Sequence, residues 1–143
     1  MSGFLLVTIT IVVLVIVAAL LRIDNWSRDF TENSASTEER FSDSVNVIDS
    51  KLERWVTQTS RWNVESKSES AGTIQYKITR ATPLFRFVDD IDVKLAPDLD
   101  GSGTQLHANS QSRVGKGDLG QNPRNLKALV EGIRRIDKSN TEN

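Results

Sequence analysis

Three aspartates, Asp89, Asp90 and Asp92, fall close together in the chain. Clustered carboxylates can hold a cation, or do general acid and base work when a further group approaches. Further on, Ser112-Arg113-Val114-Gly115-Lys116-Gly117-Asp118-Leu119-Gly120-Gln121-Asn122 sets two cations and three glycines before a helix start. Free amides and the helix dipole suit such a place to an anion. The spacing is neither a Walker loop nor a dinucleotide fingerprint. Glycines in a tight loop also serve simply to permit positive φ.

Asp89 is the informative residue. It shares alternation parity with Phe87, Ile91, Val93 and Leu95, whereas Asp90 and Asp92 share the wet parity. A carboxylate aimed at a core needs a cation or hydrogen-bond donors, and Arg80 and Arg113 are the candidates. The pattern predicts a structural latch, with Asp89 or its neighbour Asp90 bonded to Arg113 or to amides of the Arg113–Asn122 loop. His107, the sole histidine, falls on a wet parity, and a chain without cysteine offers it no second soft ligand. Asp98-Leu99-Asp100-Gly101-Ser102-Gly103 begins like a calcium loop but lacks a third ligand before the glycine and a closing glutamate. It reads as a hairpin turn. No catalytic set, no metal site and no cofactor is expected.

These residues need elements to hold them. Ser36 and Glu39 have capping-box spacing, and Phe41, Val45, Ile48, Leu52 and Trp55 recur at intervals of four and three. That predicts a helix from Ser36 to about Gln58. Period-two alternation follows around Trp62–Lys67, Ile74–Thr79, Phe85–Leu95 and Gln105–Asn109, the mark of strands with one buried and one wet face. Pro83 interrupts the run before Phe85 as a bend. Asn122-Pro123 opens a last helix, Asn as cap and Pro as first helical residue, with the stripe Leu126, Leu129, Val130, Ile133 and Ile136. The class is α+β: helix, about four-stranded antiparallel sheet, helix.

Ahead of this domain, Phe4 to Leu21 contains no charge. At ~1.5 Å per residue it measures roughly 27 Å, near the ~30 Å hydrocarbon core. A lone strand would leave its backbone unpaired in lipid, so a transmembrane helix is expected. No basic n-region precedes it, which argues against a cleaved signal. Arg22 and Trp26 mark the membrane boundary. Arg22 and Arg28 place the domain on the cytoplasmic side by the positive-inside rule, with a periplasmic or lumenal side as the alternative. The expected division is residues 1–22 as anchor, 23–35 as juxtamembrane linker, 36–137 as the α+β domain and 138–143 as a polar tail. A net charge of −1 argues against a nucleic-acid partner.

Phe85-Arg86-Phe87-Val88-Asp89-Asp90-Ile91, then Ser110-Gln111-Ser112-Arg113-Val114-Gly115, then Asp118, Gly120 and Asn122, resemble family 1499 of the catalogued domains of unknown function, found in bacteria and plastid-bearing eukaryotes. The likeness runs from about Ser36 to Ile136, with Ala108-Asn109-Ser110 standing where the family often has an arginine before the serine. It implies no activity. It singles out Asp89, Asp90, Arg113, Gly115, Asp118, Gly120 and Asn122. The expectation is a membrane-anchored, non-catalytic accessory or assembly subunit in an inner, photosynthetic or organellar membrane, with the bilayer and other membrane subunits as partners. One alternative is a lipid or apolar-ligand module, with Leu84, Phe85 and Phe87 as the apolar contact. The other is a hydrolase or transferase built on Asp89 or Asp90 with the Arg113 loop.

Overall fold

The computed structural model describes residues 3–20, 32–83 and 86–136. Its elements run α1 (Gly3–Leu20), β1 (Ser34–Phe41), α2 (Val45–Gln58), β2 (Trp62–Ser70), β3 (Thr73–Ala81), β4 (Val88–Pro97), β5 (Thr104–Ser112) and α3 (Gln121–Ile136). The class is α+β as expected, with five strands in an antiparallel sheet of order β1-β5-β4-β3-β2.

The extra strand corrects the sequence reading. Ser36 and Glu39 do not open a helix: they lie on β1, which pairs with β5 from Ser34↔Gln111 to Phe41↔Thr104. Along β1, half-buried Ala35, Thr37 and Glu39 alternate with exposed Ser36, Glu38 and Arg40, and Phe41 closes the strand in the core. A polar edge strand carries little apolar signal of its own, because its backbone is held by the neighbouring strand's ladder. The helix begins at Val45 after Ser44; of the expected stripe Ile48 and Leu52 are buried and Val45 and Trp55 pack partly buried against the core, and Val56, outside that stripe, is buried too. β1 also starts at Ser34, inside the segment expected to be linker.

α2 and α3 cover one face of the sheet. Ile74 and Ile78 of β3, Ile91, Val93 and Leu95 of β4 and Leu106 of β5 meet Ile48, Leu52, Leu129 and Ile133 of the helices in one buried cluster. Gly132 permits the close approach of α3 to α2, since a Cβ there would run into the Trp55 ring. The opposite face is wet and carries Gln75, Lys77, Asp92, Lys94, His107 and Asn109.

One polar cluster clamps α2 to β2 and β3. The buried Tyr76 hydroxyl donates to Asp49 Oδ1 at 2.5 Å, and Lys67 Nζ donates to Asp49 Oδ2 at 2.8 Å and Glu53 Oε2 at 3.1 Å. Burial, and then the bond to Asp49, raise the Tyr76 pKa above its ordinary 10.0. Burial works to lower Lys67, but its bonds to Asp49, Tyr76 and Glu53 outweigh that and raise it.

α1 is apolar on every side, with no acidic or basic residue in its end turns. It has 18 residues, a length of roughly 27 Å at ~1.5 Å per residue. That falls short of the ~30 Å hydrocarbon core. Among the described residues no helix is long and apolar enough to cross a membrane, so the span expected over Phe4–Leu21 is not supported as such. The expected interface residues Arg22 and Trp26 lie outside the described residues, as does the 138–143 tail.

The Tyr76–Lys67 cluster sets an alkaline limit. Both groups hold their protons more tightly folded than unfolded, so the stability they contribute is full below about pH 10 and drains as pH rises through the raised folded values. Unfolding midpoints taken from neutral to alkaline pH should fall above about pH 10, and Tyr76→Phe should flatten that fall.

Candidate functional site

In an antiparallel sheet every second strand end lies together. One end of this sheet gathers the start of β1, the β3–β4 connection, the β5–α3 loop and the first turn of α3. The singled-out residues converge there. β4 brings Asp89 opposite Ser112 of β5 and opposite Arg80 of β3.

Asp89 is 1% exposed. Its Oδ1 accepts from the Ser112 hydroxyl at 2.7 Å, and its Oδ2 from Asn125 Nδ2 at 2.8 Å. Asn125 Nδ2 also donates to Ser110 Oγ at 3.2 Å, Ser110 donates to Asn122 Oδ1 at 2.6 Å, and Asn122 Nδ2 donates to Ser112 Oγ at 3.1 Å. Asp89, Ser112, Asn122, Ser110 and Asn125 thus close a ring of hydrogen bonds, all five buried. Arg80 Nη1 donates to Asn125 Oδ1 at 2.7 Å, so its positive charge reaches Asp89 through that amide. An ionised carboxylate in a core is tolerated when its lone pairs are used and a cation lies near.

The ring extends to the chain before the sheet. Asn122 Nδ2 donates to the Asn33 carbonyl at 2.6 Å, and that carbonyl also accepts the Ser112 amide at 3.0 Å. Asn33 Nδ2 donates to the Gly115 carbonyl at 2.8 Å, and the Asp118 amide donates to the Glu32 carbonyl at 3.2 Å. The latch therefore binds three things at once: the sheet, α3 and the segment that leads into β1.

Asp90 and Arg113 do pair, but outside the core. Arg113 Nε donates to both Asp90 oxygens at 3.0 and 2.9 Å, and Nη2 reaches Asp90 at 2.7 Å and Glu65 at 3.2 Å. The bonds to Asp90 raise the guanidinium pKa and keep it charged. Both side chains stay nearly half exposed. Arg113 lies one residue past Ser112, which is the residue opposite Asp89, so it serves the wet parity.

Asn122 does not cap α3. Asp118 does: its Oδ1 accepts the Gly120 amide at 2.8 Å and its Oδ2 the Asn122 amide at 2.7 Å. The loop makes this possible with positive φ at Gly115 (99°) and Gly120 (71°). Freed from capping, the Asn122 side chain turns inward and is fully buried.

Sequence reasoning does not single out Ser110, Ser112 and Asn125. A signal is present: Ser110 and Ser112 continue the buried parity of Leu106 and Ala108, and Asn122 and Asn125 continue the helical stripe of Leu129. Phe87 is 50% exposed, while Leu84 and Phe85 lie outside the described residues.

His107 is exposed, beside Glu38 Oε1 at 3.3 Å. It lines a shallow hollow of about 440 Å³ on the wet face, with Ser36, Lys77, Asp92, Lys94 and Asn109. The Asp98–Gly103 segment is a turn, with Gly101 N donating to Asp98 O at 2.8 Å and Asp98 N to Gly103 O at 2.9 Å. The Ser102 hydroxyl and amide, and then Arg40, hold the Asp100 carboxyl down at about 2. Among the described residues no group of three histidine, aspartate or glutamate side chains is placed to hold a metal ion.

A two-layer antiparallel domain fastened by a buried polar ring is the class that fold and site define. The family described as "Protein of unknown function (DUF1499)" matches residues 25–133, and the chain belongs to that family. Among curated proteins none matches. Three solved structures are similar in outline. A Thermus thermophilus protein is 10% identical, covering 74% of this chain and 98% of its own, with a TM-score of 0.38. A Cytophaga hutchinsonii protein solved in solution is 11% identical, covering 78% and 96%, with a TM-score of 0.41. A Nitrosomonas europaea protein is 9% identical, covering 77% and 97%, with a TM-score of 0.33.

The two aspartates should respond very differently to truncation. Asp89→Ala leaves Ser112 and Asn125 with buried, unmatched donors, a loss on the order of 3 kcal/mol. For a domain this size that lowers the melting midpoint by more than about 10 °C. Asp90→Ala removes only an exposed pair and should move the midpoint by a small fraction of that. Thermal unfolding followed by circular dichroism of both variants checks the contrast.

Proposed function

We propose that this protein is a membrane-anchored, non-catalytic accessory or assembly subunit, held by α1 and presenting its α+β domain to other membrane proteins. The observation that carries the reading is α1 itself. From Leu5 to Val17 its large apolar side chains are all 44–62% exposed, around the whole helix, and Phe4 is 84% exposed. A helix apolar on every side needs an apolar surrounding. Its two polar side chains ask nothing of that surrounding, because Thr8 Oγ1 donates to Phe4 O at 3.0 Å and Thr10 Oγ1 to Leu6 O at 2.9 Å. The whole of α1 has 18 residues, roughly 27 Å, and a small mismatch with the bilayer costs only fractions of a kcal/mol per Å. Arg22 and Arg28 follow it closely, which favours a cytoplasmic domain.

The signature residues support an interaction role over chemistry. Of the two carboxylates a hydrolase or transferase could use here, Asp89 is sealed with both oxygens occupied by Ser112 and Asn125, and the reachable Asp90 is tied up by the Arg113 guanidinium. The apolar-ligand alternative has less behind it than the anchor: of its expected contacts Phe87 is half exposed, and Leu84 and Phe85 lie outside the described residues.

Two measurements decide. Membranes carrying the full chain should keep it through an alkaline carbonate wash, and mild-detergent extracts should yield heteromeric assemblies by native mass spectrometry. Release by the wash removes the anchor. A bare monomer under several mild detergents removes the subunit role.

A further inference from the structure

The end of the sheet that holds the latch differs in character from the other end. It carries exposed Val114 (62%), Leu119 (42%) and Phe87 (50%). Arg61, Arg86 and Lys116 are exposed at the same end, and none of the three forms an ion pair among the described residues. At the far end, where Leu99 is exposed as well, four cations are paired. Arg40 pairs with Asp98 and Asp100, Lys51 with Asp43, Arg134 with Glu39 and Arg135 with Glu131. Carboxylates stand at this end too, but Asp90 and Glu65 are taken up by Arg113 and Asp118 by the amides of Gly120 and Asn122. Apolar tips among cations that form no ion pair are a composition that settles on an anionic lipid surface.

This end is also the one at which the domain begins. Glu32 and Asn33 are bonded into the β5–α3 loop and to Asn122. Between Leu20, the last residue of α1, and Glu32 stand residues 21–31. Eleven residues reach at most about 40 Å. The far end is set back by the length of the strands, roughly 30 Å for β4. A surface tethered this closely sees the bilayer at high effective concentration, so a few weak contacts suffice to seat it.

We infer that the latch end of the domain, through Val114, Leu119, Phe87, Arg61, Arg86 and Lys116, lies against the anionic headgroup layer of the bilayer that α1 enters. The wet sheet face and the Asp98–Gly103 turn then point away from the lipid and stay open to partners. This rests on the reading of α1 as an anchor.

The chain has no cysteine, so single spin labels can be placed without background. Full-length protein bearing Val114→Cys, Leu119→Cys or Leu99→Cys is labelled and reconstituted into phosphatidylcholine–phosphatidylglycerol vesicles. Leu99, 102% exposed in the far turn, is the control. The ratio of oxygen to water-soluble nickel-chelate collisions should be several-fold higher at Val114 and Leu119 than at Leu99. Arg86→Glu with Lys116→Glu, or vesicles of phosphatidylcholine alone, should lower the ratio at Val114 toward the control. Equal ratios at all three positions, in vesicles that keep the protein through the alkaline wash, overturn this inference and leave the anchor standing. Protein lost in the wash ends both. Labels at Val114 and Leu119 shielded from oxygen and nickel alike mean that this end is covered by protein, which also overturns the inference.

Discussion

A single buried carboxylate organises this domain. Asp89 costs free energy to bury, and the structure meets that cost with a closed set of donors rather than a direct ion pair. The donors come from separate parts of the chain: Ser112 from β5, and Asn125 from α3, which relays the charge of Arg80 from β3. Asn122 and Ser110 complete the ring. Because every member depends on another for its partner, the arrangement is all-or-none, and it specifies one docking of α3 on the sheet where apolar packing alone would accept several.

The consequence reaches beyond α3. Asn122 also holds the carbonyl of Asn33, so the start of β1 is fixed by the same group that fixes the last helix. An edge strand with polar residues and pairing on one side has little holding it, and this bond, with the Ser112 amide on the same carbonyl, pins its entry. The segment leading to α1 leaves the domain from that point. The latch therefore sets at which end of the sheet the domain begins, and this joins the internal chemistry of the signature residues to the proposed role at a membrane.

The parity of β4 makes much of this legible. Asp89 among Phe87, Ile91 and Val93 announces a buried charge, and the structure sets the start of the Arg113–Asn122 loop beside it. The pairing within that neighbourhood is what sequence does not convey. Arg113 looks like the natural partner because it is a cation, but register puts it opposite the wet side, and hydroxyls and amides do the buried work. Ser110, Ser112 and Asn125 escape notice because small polar residues read as surface filler unless their parity is weighed. Asn122-Pro123 has the form of a helix cap, yet it is Asp118 that takes the amides at the helix start, those of Gly120 and Asn122, across a glycine turn that sequence does not draw. β1 is hidden for another physical reason. Ser36 and Glu39 satisfy a local capping pattern, and only the distant β5 ladder overrides it.

One ring of side chains holds α3 and the start of β1 to the sheet together, and amide hydrogen exchange in the Asn122→Ala chain tests this most directly. Protection should fall together at the Ser112 and Asp118 amides, which bond to Asn33 and Glu32, and in the first turns of α3, while the β3–β4 ladder keeps its protection. Loss confined to α3, with the Ser112 and Asp118 amides exchanging as slowly as in the unaltered chain, would contradict it.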